Sequence, residues 1–174
     1  DQNADRVQIQ YTMAVYCNSV DSGDVDGVVS VFMPDGHLEL SSGTKAAGRD
    51  AIRAFYTPVI GPNRPDRGPD GALPLLRHNL TTSRVEFVDA DTAQGWTYFL
   101  SLTRHGPDHA GRYVDTFKRH GTRWLIADRP MIEALVIAWY SLPLLGLVSL
   151  VLIARGYRRD WSVPRLALES PPRL

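Results

Sequence analysis

Apolar residues recur at helical spacing near the start of the chain, and this pattern predicts a helix with a broad buried face. Asp21-Ser22-Gly23 is typical of a helix end, and Asp24 is a suitable N-cap for a short second helix. The predicted buried stripe contains Val7, Tyr11, Ala14 and Val15, widened by Met13, Tyr16, Cys17 and Val20.

The chain after residue 74 is predicted to form strands. They follow a predicted helix from Gly48 to Pro58 and a long Pro- and Gly-rich loop over residues 58–74. A turn at 33–36 is predicted to lead into a short strand at 37–41. Helices followed by a curved antiparallel sheet make an α+β architecture. Turn sequences separate four further strand-like runs, which predicts antiparallel hairpins: residues 75–88, 92–103, 112–119 and 123–128.

Composition and charge narrow the function classes. Hydrophobic residues make up 44% of the 174-residue chain and charged residues 22%, which excludes a disordered tail and a coiled coil. Nineteen basic residues balance nineteen acidic ones, so we do not expect nucleic-acid binding. The single cysteine, Cys17, excludes an intramolecular disulfide and a cysteine-rich zinc site, and we expect it to be a small buried hydrophobe.

Residues 134–154 contain no charged side chain. This length suits a membrane-spanning helix, and Arg155, Arg158 and Arg159 follow it at once. The alternative is a helix buried in the core or in a dimer interface. We therefore divide the chain into a domain over residues 1–132 and an apolar helix with a polar tail over residues 133–174. Because the first ten residues lack a signal-peptide core, the expected location is the cytoplasm, with membrane association through this anchor.

Four segments, in order, resemble the SnoaL-like domain of the NTF2-like superfamily. They are residues 16–24 with 31–36, 48–56, 76–80, and 111–117 with 124–127. The resemblance implies a cone in which a bent sheet wraps around a helix and encloses an apolar pocket. It also implies a homodimer formed through the outer face of the sheet. Members of the superfamily include polyketide cyclases, scytalone-type and steroid dehydratases, and domains whose pockets have no catalytic role.

The same resemblance implies an acid–base pair formed by Asp21 and His78. Strand parity supports His78 independently, because Leu76, His78 and Leu80 share one face of their strand. A buried imidazole with a carboxylate partner can exchange protons near neutral pH. Two alternatives stay open, namely that His78 is a core histidine bonded to a backbone carbonyl and that Asp21 only caps a helix.

Asp115 is the third candidate catalytic residue, since it shares strand parity with Tyr113 and Phe117. Inside the pocket it would pair with His78 or have its pKa raised by desolvation. The alternative places it outward, at a dimer interface. The expected substrate-binding residues are Tyr16, Phe55, Trp96, Tyr113 and Phe117. We assign His105, His109 and His120 to turns. The spacing of His105, Asp108 and His109 is not that of a metal site.

These observations favour a small lyase or isomerase of the dehydratase or cyclase type that acts on an apolar, polycyclic or aromatic molecule. His78 would remove a proton from carbon, Asp21 would orient the imidazole, and Asp115 with Tyr113 would polarise the substrate oxygen. No P-loop or dinucleotide fingerprint occurs, so we expect no cofactor. The long loop at 58–74 would cover the pocket. The alternative is a non-catalytic module, with or without the membrane anchor, that binds an apolar ligand or supports an assembly.

Overall fold

A computed structural model describes residues 1–40, 42–63 and 73–136. Within these residues the chain forms two helices, two strands, a third helix and then four strands. The helices are α1 (Gln2–Ser22), α2 (Val25–Ser30) and α3 (Gly48–Ile60). The strands are β1 (Phe32–Glu39), β2 (Lys45–Ala47), β3 (Leu76–Phe87), β4 (Thr92–Thr103), β5 (Gly106–His120) and β6 (Arg123–Val136).

All six strands form one sheet in the order β2-β1-β6-β5-β4-β3. The predicted α+β class is confirmed. The expectation of an antiparallel sheet is wrong in one respect, because β1 lies parallel to β6 while the other neighbours are antiparallel. A parallel pair needs a long connection, and here nearly the whole domain lies between the two strands in sequence.

The predicted turn at 33–36 lies inside β1. Its Pro and Gly residues produce an irregularity instead of a chain reversal, and the register with β6 shifts between Phe32 and His37. The Arg49 guanidinium donates two hydrogen bonds, of 3.0 and 2.7 Å, to the Phe32 carbonyl. Helix α3 also continues past Pro58, which lies in its last turn.

Helix α1 buries only part of the predicted stripe: Met13, Tyr16, Cys17 and Val20 are buried as expected, and the rest of the stripe lies on the other side of the helix. Val7 is 63% exposed and Tyr11 is 68% exposed. Two apolar stripes at helical spacing lie on opposite sides of α1, and periodicity alone does not reveal which of them meets the sheet. Cys17 is buried as expected, and burial raises the pKa of its thiol to about 12. The apolar stripe that faces the core consists of Ile9, Met13, Tyr16, Cys17 and Val20.

Polar contacts fix the direction of α1 across the sheet. At its start, Asp5 accepts hydrogen bonds from the Trp124 indole at 2.8 Å and from Arg119 at 3.0 Å. Two turns later, Thr12 donates to the Trp124 carbonyl at 2.6 Å. The helix ends at Gly23, whose φ of +74° is left-handed. The last turn of α1 therefore lies beside the beginning of β3, which brings Asp21 to His78.

Strand β6 runs to Val136, past the predicted domain boundary at residue 132. Residues 134–136 of the predicted apolar helix are thus strand, and residues 137–154 lie outside the described residues. Among the helices of the described chain, none has the length and apolar character needed to cross a membrane. The domain boundary, the anchor and the homodimer remain predictions.

Candidate active site

Asp21 and His78 form a hydrogen-bonded pair. The Nδ1 atom of the His78 ring lies 2.6 Å from Oδ1 of Asp21. The backbone N–H of His78 also donates to both carboxylate oxygens, at 3.2 and 3.0 Å. Two groups of one residue therefore hold the carboxylate in place. Asp24, and not Asp21, caps α2 by accepting a hydrogen bond from the Gly27 N–H at 2.8 Å, which separates the two roles that the sequence left open.

The surroundings of His78 favour a neutral ring. Its side chain is 8% exposed. Burial lowers the pKa of the imidazole below its usual value, and the hydrogen bond and charge of Asp21 only partly oppose that shift. A neutral ring that donates Nδ1–H to Asp21 keeps its lone pair on Nε2. Among the described residues, Nε2 has no hydrogen-bond partner, so it is free to accept a proton.

A cavity of about 190 Å³ lies against His78. Tyr16 and Tyr56 form one polar part of its wall, and their hydroxyl oxygens lie 2.6 Å apart. Burial raises the pKa of both phenols, so both remain protonated at neutral pH. His78 and His109 form the other polar part. The rest of the wall is apolar and includes Val20, Leu40, Phe55, Ile60, Leu76 and Met131.

Asp115 faces the interior but does not meet His78. It accepts two hydrogen bonds of 2.7 Å from Arg129, and neither side chain is measurably open to solvent. Burial raises the pKa of the Asp115 carboxyl, and the guanidinium opposes that rise. The Tyr16 and Tyr113 rings lie 4.1 and 4.4 Å from the guanidinium carbon. Asp115 thus belongs to a buried ion pair, so the expected role of Asp115 and Tyr113 in polarising the substrate gains no support.

Arg129 is not a predicted site residue, because strand alternation places it on the outer face of the sheet. Trp124 and Ile126 of β6 face the core, so simple alternation places Arg129 on the opposite side. The register between β5 and β6 shifts where Phe117 pairs with Ile126 and Thr116 pairs with Asp128. One extra residue in β6 reverses the alternation and turns Arg129 inward.

His109 is a second histidine of the cavity, and its predicted place in a turn is wrong. Strand β5 begins at Gly106, so His109 lies on the strand. Its Nδ1 is 2.8 Å from Oδ2 of Asp108, and its Nε2 is 3.2 Å from Oγ of Ser101. The His78 and His109 ring centroids are 6.1 Å apart. His109 shares strand parity with Tyr113 and Asp115, and this alternation along β5 could have predicted that His109 faces the interior.

The five expected substrate-binding residues divide into three groups. Tyr16 and Phe55 line the cavity. Tyr113 and Phe117 are buried elsewhere in the interior, where Tyr113 stacks on Phe99 with ring centroids 4.5 Å apart. Trp96 alternates with the inward residues of β4 and lies on the outer face, stacked with Arg84 at 4.6 Å. Trp96 therefore contributes nothing to the cavity wall.

No three His, Cys, Asp or Glu side chains converge on a possible metal position in the part of the chain that the structure describes. Asp108 and His109 are neighbours, but His105 contacts Arg104 at 3.0 Å in the exposed turn between β4 and β5. The described side chains at the site supply imidazole, carboxylate and phenol groups.

Comparison with known proteins places this geometry in a family. The model of the SnoaL-like domain matches residues 1–130. No curated protein sequence matches the chain significantly.

Similar solved structures include known or assigned enzymes. A protein from Novosphingobium aromaticivorans assigned as a scytalone dehydratase is 18% identical with a TM-score of 0.66, over 79% of this chain and 89% of that one. A second protein from that organism, assigned as an aromatic ring hydroxylase, is 28% identical with a TM-score of 0.60, over 76% and 90%. A hexachlorocyclohexane dehydrochlorinase, LinA type 2, is 19% identical with a TM-score of 0.62, over 77% and 88%. The chain belongs to the SnoaL-like family and has the NTF2-like α+β fold.

Proposed function

We propose that the protein is a cofactor-independent lyase in which His78 removes a proton from a carbon atom of a small apolar substrate. The observation that carries this proposal is the 2.6 Å contact between His78 Nδ1 and Asp21 beside the cavity. General-base catalysis needs an unprotonated nitrogen within reach of the substrate, and Nε2 of a neutral His78 is such a group. Dehydration and dehydrochlorination, the reactions named for two of the similar structures, both begin or end with loss of such a proton.

Asp21 holds the imidazole in the required tautomer. Its carboxylate accepts Nδ1–H and so leaves the lone pair on Nε2. When the ring takes up a proton, the same carboxylate stabilises the imidazolium that forms. The side chain of Asp21 is only 12% exposed, so water screens this interaction weakly.

Tyr16 and Tyr56 are the groups that we expect to bind a substrate oxygen. In the 2.6 Å pair one hydroxyl donates to the other, and the accepting hydroxyl keeps its own proton for a further hydrogen bond. A carbonyl oxygen of the substrate would accept a hydrogen bond from this hydroxyl. That hydrogen bond would stabilise the negative charge that develops on the oxygen when the neighbouring carbon loses its proton. The tyrosine pair therefore takes the role that the sequence gave to Asp115 and Tyr113.

The cavity volume favours a smaller substrate than the expected polycyclic one. Pockets for drug-sized molecules occupy roughly 300–1,000 Å³. The cavity of about 190 Å³ is smaller than these and suits a single ring. We therefore propose a cyclic ketone or alcohol with one ring as the substrate class.

Hydrogen exchange at carbon tests the proposal. Wild-type protein in D₂O should catalyse incorporation of deuterium next to the carbonyl group of single-ring ketones, which NMR measures. A ligand-binding module, the alternative function, would bind the same ketones without any exchange above the rate in buffer. Binding with no exchange across the panel would contradict the proposed catalysis and favour the module.

Two partner predictions complete the proposal. The outer face of the sheet, which exposes Trp96 in part and Tyr98 by 51%, is where we expect a homodimer contact. The part of the predicted apolar segment that follows β6, residues 137–154, is where we expect a membrane contact.

A further inference from the structure

We propose that a second cavity, the edge cavity, binds a small neutral alcohol with a single-ring apolar body. The edge cavity lies between residues 9–13 of α1 and residues 80–85 of β3, and its volume is about 190 Å³. It shares none of its described lining residues with the cavity beside His78. The inference concerns binding alone, so it does not depend on the chemistry proposed for His78.

Helix α1 is fixed against the outer edge of β3 on both sides of the edge cavity. Strand β3 is the last strand of the sheet, and α1 lies along it. Near one end, Asp21 accepts a hydrogen bond from the His78 N–H at 3.0 Å. Near the other end, the Arg6 guanidinium donates a hydrogen bond to the Val85 carbonyl. These two contacts hold the helix in place and so keep the space between them open.

A β-bulge in β3 produces this space. Leu80 pairs with Phe99 and Ser83 pairs with Thr97, so β3 has one more residue than β4 over this stretch. Leu80 and Val85, on either side of the bulge, both line the cavity and are only partly buried. The side chains of the strand therefore leave a gap against the helix.

Apolar side chains from two other elements complete the walls. Ile9 and Met13 of α1 and Phe117 of β5 line the cavity, and all three are buried. The Phe117 ring lies over β4 at Gly95, where an added Cβ atom would be 2.8 Å from Cε2 of the ring. Glycine at this position thus permits Phe117 to form the far wall. Since an apolar cavity of roughly 150 Å³ binds benzene, the edge cavity has room for one ring with a substituent.

Two hydroxyl groups form the polar part of the wall. Ser83 Oγ and Thr97 Oγ1 are 2.8 Å apart, and the pair extends from the exposed Ser83 to Thr97, which is 4% exposed. One hydroxyl donates to the other, so the accepting hydroxyl keeps its own proton and the donating one keeps lone pairs. A ligand hydroxyl both donates and accepts hydrogen bonds. The pair therefore suits an alcohol better than a hydrocarbon.

The edge cavity favours a neutral ligand, because none of its described lining residues carries a charge. A charged ligand would lose hydration there without an ion to pair with. The Phe99 ring lies on the inner face of β4 between Thr97 and Ser101, and it stacks on Tyr113 with ring centroids 4.5 Å apart. This aromatic stack separates the edge cavity from the two histidines, so the two cavities can hold different molecules.

Methionine methyl NMR tests the site in the full chain, because the three methionines have different surroundings. Met13 lines the edge cavity, Met131 lines the cavity beside His78, and Met33 lines neither of these two. The probes are benzyl alcohol and toluene, which differ only by the hydroxyl group. The ring current of a bound probe should shift the Met13 signal in a saturable way and leave Met33 unchanged. We expect benzyl alcohol to bind about 3–10-fold more tightly than toluene, the net contribution of one hydrogen bond.

Three variants define the site. Thr97→Val removes the hydroxyl and keeps the shape, so it should weaken binding of benzyl alcohol by about 3–10-fold and leave toluene binding nearly unchanged. Thr57→Val removes an exposed hydroxyl of α3 and is the matched control, which should change neither affinity. Val85→Phe fills the edge cavity and should abolish the Met13 shift with both probes. The thermal unfolding midpoint shows whether each variant is folded.

No saturable shift of Met13 with benzyl alcohol, or a shift confined to Met131, would overturn the edge cavity as a binding site. Equal affinities for benzyl alcohol and toluene, or an unchanged affinity for benzyl alcohol in Thr97→Val, would overturn the role of the hydroxyl pair and the alcohol as ligand. If Val85→Phe does not fold, the two affinities in the wild type and in Thr97→Val decide the question. Deuterium exchange at carbon tests the proposed function separately, so failure of one does not imply failure of the other.

Discussion

Replacing His78 with glutamine is expected to lower the rate of proton removal by about 10³-fold while the protein stays folded. Glutamine has no group that takes up a proton at neutral pH, but its amide can still donate a hydrogen bond to Asp21. The backbone contacts between His78 N–H and the Asp21 carboxylate do not depend on the side chain. Turnover on the ketone panel and the thermal unfolding midpoint are the two measurements.

His105→Gln is the matched control for this variant, because His105 is exposed in the turn that follows β4. We expect it to keep the wild-type rate. A His78→Gln protein that is folded and as active as His105→Gln would remove His78 from the reaction. Any proton transfer in the cavity would then have to depend on Tyr16, Tyr56 or His109.

Replacing Arg129 with methionine is expected to have the largest effect on stability, a loss of about 3–5 kcal/mol in the free energy of unfolding. The substitution leaves the Asp115 carboxylate buried without its two 2.7 Å hydrogen bonds. It also removes the cation that lies between the rings of Tyr16 and Tyr113. Urea unfolding followed by tryptophan fluorescence measures the loss.

Two comparisons separate the buried ion pair from the size of the side chain. Arg129→Met combined with Asp115→Leu removes both charges and should recover most of the loss, since an apolar pair can replace a buried ion pair. Arg84→Met removes an exposed arginine that contacts Glu86 at 3.5 Å and should cost about 1 kcal/mol or less. An Arg129→Met protein as stable as Arg84→Met would show that the buried pair contributes little.

Strand parity predicts the correct face for His78 and the wrong face for Arg129, because the register of the two strands is regular at one position and shifted at the other. Between Leu76 and Leu80 the register of β3 with β4 is regular, so alternation correctly places His78 on the inner face. At Arg129 the register of β6 with β5 has shifted, and alternation counted from Ile126 gives the wrong face. A β-bulge depends on the partner strand, so one strand's sequence does not reveal it.

The sequence pattern led to wrong predictions in two other places. Gly106, Pro107 and Asp108 are typical turn residues, yet they begin β5, and this hid His109 from the candidate site. In α1 both faces carry apolar residues, and the choice between Val7 and Ile9 is made by packing against β3 and β6. The order of helices and strands, in contrast, depends on local patterns that tertiary contacts did not override.

The family resemblance and the residue pattern contributed different parts of the account. The resemblance predicted that Asp21 and His78 would be partners, although 57 positions separate them in sequence. The residues themselves predicted that His78 faces inward. Neither predicted that His78, Ser101 and His109 lie side by side on β3, β4 and β5, because only the register of the sheet brings these three residues together.

The central claim is that the imidazole of His78 acts as a base in its neutral form, and the pH dependence of the rate tests it most directly. Burial lowers the pKa of His78, so the ring is protonated and inactive only at pH values below that lowered pKa. We expect the rate to fall as the pH decreases through a midpoint below 6.5 that equals the pKa of His78 measured by NMR. In Asp21→Asn both values should decrease further, because the carboxylate raises this pKa. A kinetic midpoint that stays fixed while the NMR pKa of His78 moves would contradict the account.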